Sequence, residues 1–241
     1  MPGKRILILG GTSDARILAA ELLAAGYEPV SSLAGMTQAP VLPAGEVRVG
    51  GFGGEEGLYT YLKGGNFAAV ADATHPFAVQ ISQHGFAAAK RVGVPYLRLE
   101  RQAWVPSSGD TWEPVADIRA AAACLPTGAR IMLTIGRKEI APFLARDDLS
   151  GVVRMIERNT LVMPAPWHLI LARPPFNLED ETRMMISHGI THLVTKNAGG
   201  TQTEAKLQAA RTLGVPVIMI ERPAKHKAPT FASATSLVAA L

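Results

Sequence analysis

Short apolar runs alternate with helical stretches along the whole chain, and this rhythm restricts the fold more than any other feature of the sequence. The apolar runs are Arg5–Leu9, Glu28–Leu33, Glu46–Val49, Ala68–Asp72, Tyr96–Glu100, Arg130–Thr134, Val152–Ile156, His168–Ala172, His192–Thr195 and Val215–Ile220. Helical patterns lie between them at Asp14–Ala25, Glu55–Lys63, Ala78–Arg91, Ala116–Cys124, Glu139–Ala145, Leu178–His188 and Thr203–Leu213. Two strands joined through a helix of this length run parallel in one sheet, so the pattern predicts βαβ units and an α/β fold. Local punctuation agrees. Ser13 is placed to cap the helix from Asp14, Pro76 suits the first turn of the helix after His75, and Asn177 with Asp180 resembles a capping box. Gly26, Gly93, Gly189 and Gly214 each stand just past a helix, where a left-handed cap is expected.

With 241 residues, 48% hydrophobic and 18% charged, the chain can bury a sizeable core in one large or two small domains. The stretch Gln102–Pro114, with Trp104, Pro106, Gly109 and Trp112, breaks the rhythm and suits a passage between two halves. A boundary is expected near Leu125–Gly128, giving domains 1–126 and 127–241. The net charge of +4 is a mild bias toward acidic ligands, or simple solubility. No dense Lys/Arg stripe with interleaved aromatics points to nucleic acid. The single cysteine, Cys124, excludes a disulfide scaffold within the chain and reads as a structural thiol on a buried helix face. The histidines lack metal-ligand spacing, so no metal is expected. Ile6–Leu9 is too short for a signal peptide and no window suits a bilayer, so a cytoplasmic protein without a membrane partner is expected.

Two strand-to-helix junctions carry the chemistry. One is Ile8-Leu9-Gly10-Gly11-Thr12-Ser13-Asp14; the other is Val194-Thr195-Lys196-Asn197-Ala198-Gly199-Gly200-Thr201. Glycine permits a sharp turn and a close approach by a ligand. The following helix aims unpaired N–H groups and its positive dipole end at the loop. Each junction is therefore a candidate site for phosphate or carboxylate, with a tight structural turn as the alternative. The first lacks the Gly-x-Gly-x-x-Gly fingerprint and the P-loop lysine. The second brings a cation, an amide and a hydroxyl to a helix start.

Other segments extend the picture. The second strand ends in Ser31-Ser32-Leu33 without the acid that NAD-type folds use on the ribose, which leans toward NADP. No basic residue follows until Arg48. Gly50-Gly51-Phe52-Gly53-Gly54 suits either a flat ligand or a mobile connector. Thr74-His75-Pro76 lies at a strand end, where His75 could meet a carboxylate, act as an acid, or be satisfied by backbone. Arg137, Lys138 and Arg173 follow strands and suit acidic groups or a solvated face. Lys225-His226-Lys227, following Arg222-Pro223, reads as a solvated loop, with extension of a basic rim as the alternative.

Taken in order, Ile8-Leu9-Gly10-Gly11-Thr12-Ser13-Asp14-Ala15-Arg16, Ser32-Leu33-Ala34-Gly35, Gly50-Gly51-Phe52-Gly53-Gly54, Asp72-Ala73-Thr74-His75-Pro76-Phe77-Ala78, Lys196-Asn197-Ala198-Gly199-Gly200 and Gly214-Val215-Pro216-Val217 resemble the precorrin-6A reductase family of cobalamin biosynthesis. The resemblance implies two Rossmann-like parallel-sheet halves with a cleft between them. It implies hydride transfer from NADPH to a carbon–carbon double bond of precorrin-6A, forming precorrin-6B. Gly10, Gly11, Thr12, Ser13, Asp14, Lys196, Asn197, Gly199, Gly200 and Thr201 would then line the cofactor. Gly51, Phe52, Thr74, His75, Arg137, Lys138 and Arg173 would face the acidic tetrapyrrole, with His75 the candidate catalytic group. The product would pass to neighbouring pathway enzymes. Two departures stand out: Ala198 where the family often has serine, and Met36 where it often has arginine. A cobalt-precorrin-6A reductase and a non-catalytic nucleotide-binding module are the competing readings.

Overall fold

The structure, a computed structural model, describes residues 4–35, 41–157 and 163–241. Two compact units divide it. One comprises residues 1–102 together with 223–241, and the other residues 103–222.

The first unit is a six-stranded parallel sheet flanked by helices. Its elements run β1 (Arg5–Leu9), α1 (Ser13–Ala24), β2 (Glu28–Leu33), β3 (Glu46–Val49), α2 (Glu55–Gly65), β4 (Phe67–Asp72), α3 (Val79–Val92) and β5 (Tyr96–Leu99). The chain returns to it at the end with β12 (Thr230–Phe231) and α8 (Ala234–Val238). The strand order is β12-β5-β4-β1-β2-β3. The continuous apolar run of β1 has a simple cause: side chains alternate faces and both faces are covered. Ile6 and Ile8 pack with Leu18, Leu22 and Leu237 on one face, while Leu7 and Leu9 pack with Leu58, Leu62 and Phe67 on the other.

The second unit repeats the plan: β6 (Trp112–Val115), α4 (Ile118–Cys124), β7 (Arg130–Leu133), α5 (Ala141–Leu144), β8 (Ser150–Met155), β9 (Trp167–Leu171), α6 (Leu178–Ser187), β10 (His192–Lys196), α7 (Ala205–Leu213) and β11 (Val217–Ile220). All its pairings are parallel, in the order β6-β11-β10-β7-β8-β9. Its core joins Trp104, Met132, Val152, Met185, Leu193, Leu207, Val217 and Met219.

The units part at 102/103 and 222/223 rather than at 126/127. β6 adds to β11, and the C-terminal β12 adds to β5. Neither strand is legible by pattern. β6 contains Pro114, which only an edge strand tolerates readily, and β12 is two residues long. Three local expectations also shift. Thr12, not Ser13, caps α1. Pro76 sits in a turn closed by Ala78 N–H donating to His75 O at 2.8 Å, and α3 starts only at Val79. The stretch 139–145 splits into a 3-10 turn at Arg137–Glu139 and the short α5. The left-handed glycines after helices hold, with φ of +84° at Gly26, +83° at Gly93, +57° at Gly189 and +67° at Gly214.

Candidate functional site

In the first unit the strand order reverses between β1 and β4. Helices after these strands go to opposite faces, which opens a crevice beyond the strand ends. Gly10 N–H donates to Ser32 O at 3.0 Å, so this amide is used within the sheet. Gly11 has a φ of +105°, with open space where a Cβ would stand. The Thr12 hydroxyl accepts from Ala15 N–H at 3.0 Å and donates to Ala73 O at 2.7 Å. It thus ties the turn after β1 to the turn after β4 and is spent on structure. What this turn offers an anion is backbone: the first-turn N–H groups of Ser13 and Asp14, which have no carbonyl partner within α1. The Asp14 carboxylate beside them would oppose an anion, and Arg101 Nη1 answers it at 2.6 Å.

The end of β2 differs from the expectation of a strand end without a cation. β3 lies beside β2 with Ser32 opposite Arg48. Arg48 Nη1 donates to Ser32 Oγ at 3.0 Å and Gly50 O at 2.8 Å, and Nη2 to Gly51 O at 3.1 Å. Its guanidinium lies 3.8 Å over the Phe52 ring. Gly51 and Phe52 therefore hold Arg48, with one face of the ring already covered. The register of β3 on β2 is the signal that finds Arg48, and it is invisible to a linear reading. Met36 lies outside the described residues.

After β4 the chain turns through Thr74 and His75. The Thr74 hydroxyl donates to Asp72 Oδ1 at 2.6 Å, and its N–H to the same oxygen at 3.1 Å. Phe77 N–H donates to His75 Nδ1 at 3.3 Å. A neutral imidazole that accepts at Nδ1 carries its proton on Nε2. Behind this turn stands a cluster that the linear reading missed. Tyr96 OH donates to Asp72 Oδ2 at 2.6 Å, and Arg98 Nε lies 3.8 Å from the same oxygen. Arg98 Nη2 lies 2.9 Å from His226 Nε2, and the His226 ring stacks on Phe86 with centroids 4.1 Å apart. The Lys225 side chain is only 7% exposed and lies 3.7 Å from Glu100. Residues 225–226 are therefore packed, not a solvated loop. Burial pushes the Asp72 carboxyl upward, but hydrogen bonds from Ser82, Thr74 and Tyr96 and the charge of Lys225 outweigh it and leave the group below the usual range. Burial, then the Asp72 charge, pushes the Tyr96 phenol well above its ordinary value.

In the second unit the order reverses between β7 and β10, and the expected segments again sit at the ends of these strands. The Lys196 ammonium pairs with Glu139, so its charge is partly answered within the protein. Asn197 is occupied on both sides of its amide: Trp104 N–H donates to Oδ1 at 2.8 Å, and Nδ2 donates to Trp104 O at 3.0 Å. The Trp104 indole donates to Gly200 O at 3.0 Å. Arg222 donates to Asn197 O at 2.8 Å and Ala198 O at 3.1 Å. The loop thus grips the residues next to both crossings between units. Gly199 and Gly200 have φ of +70° and +78°, and Thr201 is exposed. Arg137 and Lys138 are exposed in the turn after β7, whereas Arg173 pairs with Glu157. Phe176 is covered by Arg154 at 3.7 Å, which itself pairs with the buried Glu181. Cys124 donates to Ala121 O at 3.4 Å, and burial pushes its thiol up, away from a reactive thiolate. No helix among the described residues is long and apolar enough to cross a membrane.

Known proteins match this arrangement from end to end. The family model described as precorrin-6x reductase CbiJ/CobK matches residues 5–241. A precorrin-6A reductase of Rhodococcus erythropolis is 50% identical over 221 residues, covering 91% of this chain and 89% of its own. A cobalt-precorrin-6A reductase of Priestia megaterium is 32% identical, covering 98% and 97%. The solved structure of CobK precorrin-6A reductase superposes with a TM-score of 0.93 at 42% identity, covering 99% of this chain and 96% of that one. Sequence and architecture agree across both sheets, and the chain belongs to the precorrin-6x reductase CbiJ/CobK family.

Proposed function

We propose that this protein reduces a carbon–carbon double bond of precorrin-6A to give precorrin-6B in cobalamin biosynthesis, with NADPH as the hydride source. Kinship over both units to proteins of that name carries the reading. The metal-free substrate is favoured over the cobalt-bound one, because the relative named for precorrin-6A is far more similar than the one named for the cobalt form.

The β1/β4 reversal fits a dinucleotide: an open glycine turn, free first-turn N–H groups, and an acid already neutralised by Arg101. NADPH, when bound, supplies the hydride, and the second carbon of the bond takes up a proton. The protein's task is then to hold the partners in register. Gly11, Ser13 and Asp14 receive the pyrophosphate through backbone. Gly10 and Thr12 shape that turn through bonds already made. In the second unit, Gly199, Gly200 and Thr201 offer groups to an anion, while Lys196 and Asn197 brace the loop.

Arg137 and Lys138 make no ion pair among the described residues and suit the carboxylate arms of the tetrapyrrole. His75, in the first unit, is a separate candidate for a carboxylate. Charging His75 would require a proton on Nδ1 and the loss of the Phe77 bond, so the ring serves better as a fixed donor to a carboxylate than as the acid that protonates carbon. His75→Ala is expected to raise the KM for precorrin-6A more than it lowers kcat; a fall in kcat alone would assign it the proton instead.

The deciding experiment titrates the protein with NADPH and then adds precorrin-6A or its cobalt complex. Oxidation of NADPH on addition of the metal-free compound is expected. Protein that binds NADPH but oxidises none with either compound would refute the enzymatic reading.

A further inference from the structure

Arg48 is a half-buried cation with no acid beside it. Among the described residues its hydrogen bonds go only to neutral oxygens, on Ser32, Gly50 and Gly51. Arg5, Arg98, Arg101, Arg154 and Arg211 each have a carboxylate instead. Leaving a partly desolvated guanidinium without a counter-charge is costly unless an anion completes it. The group is also rigidly aimed. Three hydrogen bonds and the Phe52 and Tyr61 rings, with centroids 3.8 and 5.2 Å away, fix its plane, and these bonds leave Nε–H and one Nη2–H unused. Its place is the end of β2, one strand over from the β1 turn. In a doubly wound sheet this is where the adenosine ribose of a dinucleotide sits, and an acid there selects the free 2′-hydroxyl. Here Ser32 stands at that end with a guanidinium attached.

We propose that Arg48 recognises the ribose 2′-phosphate and so sets the preference for NADPH over NADH, an assignment that rests on the dinucleotide reading above. A planar fork with spare N–H groups matches a phosphate dianion, and Arg48 reaches the site laterally from β3.

The test measures equilibrium binding of 2′,5′-ADP and 5′-AMP, and of NADP+ and NAD+, to the full chain and to Arg48→Gln and Arg48→Lys. The unsubstituted protein is expected to bind each 2′-phosphorylated ligand at least about tenfold more tightly than its partner. Arg48→Gln should erase that gap while leaving the affinities for 5′-AMP and NAD+ within about twofold. Arg48→Lys should keep part of the gap, and a thermal melt confirms that each variant is folded. A gap that survives in Arg48→Gln overturns the assignment. So does equal weakening of both ligands, which would make Arg48 only a brace for Gly50 and Gly51. Absence of a gap in the unsubstituted protein would instead remove the NADPH reading itself.

Discussion

Asp72 is 1% exposed at the end of β4, yet its hydrogen bonds keep it below the ordinary carboxylate value of 3.8. A folded-state value below the unfolded one gives stability that is fully present above about pH 3.8 and is lost as pH falls through the folded value. His226 acts higher on the scale. Burial and the charge of Arg98 hold it below 6.5, so the unfolded chain binds its proton first and stability declines as pH drops below 6.5. Melting curves from neutral to acid pH should therefore fall in two stages. His226→Gln is expected to shrink the first, to which His192, also held below 6.5 by burial, contributes, and Asp72→Asn to shrink the second. Asp72→Ala, which strips the acid from buried Arg98, should cost about 3 kcal/mol or more by urea titration. Asn197→Ala should cost about 1–3 kcal/mol while leaving dinucleotide affinity unchanged, because its amide is bonded to Trp104 on both sides. Weaker dinucleotide binding in that variant would return Asn197 to the cofactor site. At this scale the sequence marked where the glycine loops fall but not which of their side chains are already bonded within the chain. The Lys196 segment reads as an anion cradle, yet Lys196 and Asn197 have partners 57 and 93 residues away.

Caps and close approaches decide the elements. Thr12 both caps α1 and reaches Ala73 across the reversal, so Thr12→Ala should lose about 1 kcal/mol for the cap and more for the bridge, and Thr12→Ser should recover most of it in the same unfolding assay. Gly151 in β8 is a stricter constraint. Its φ is +142°, and a Cβ there would lie 1.9 Å from Ile131 O on the neighbouring β7. Gly151→Ala is expected to cost about 3 kcal/mol or more and to lower soluble yield. Ser31-Ser32-Leu33 and Glu46–Val49 were both legible as strands, because periodicity and turn residues are local properties. Their pairing was not, and pairing is what carries Arg48 to Ser32.

At the level of the whole molecule, each unit completes its sheet with chain from far along the sequence. Leu237 is fully buried in the core beneath α1, and β12 covers the edge of β5. Deleting residues 223–241 should therefore unfold the N-terminal unit rather than trim a tail. Circular dichroism and limited proteolysis of the truncated chain would reveal this, and a truncated protein with an intact melting transition would contradict it. Leu237→Ala, a milder change, should cost about 2–5 kcal/mol.

The alternation of apolar runs and helical stretches was enough to indicate a parallel α/β fold, the two glycine junctions stand in the residues themselves, and the ordered motifs carried the family resemblance, since each depends on neighbours in the chain. Tertiary structure alone decided which sheet claims β6 and β12, that Lys225 lies by Glu100 and His226 packs on Phe86 and Arg98 rather than being solvated, and that Arg48 stands at the end of β2. The physical reason is the same in each case. Burial and hydrogen bonding are settled between residues brought together by strand register, and a one-dimensional pattern specifies the strands without specifying their neighbours.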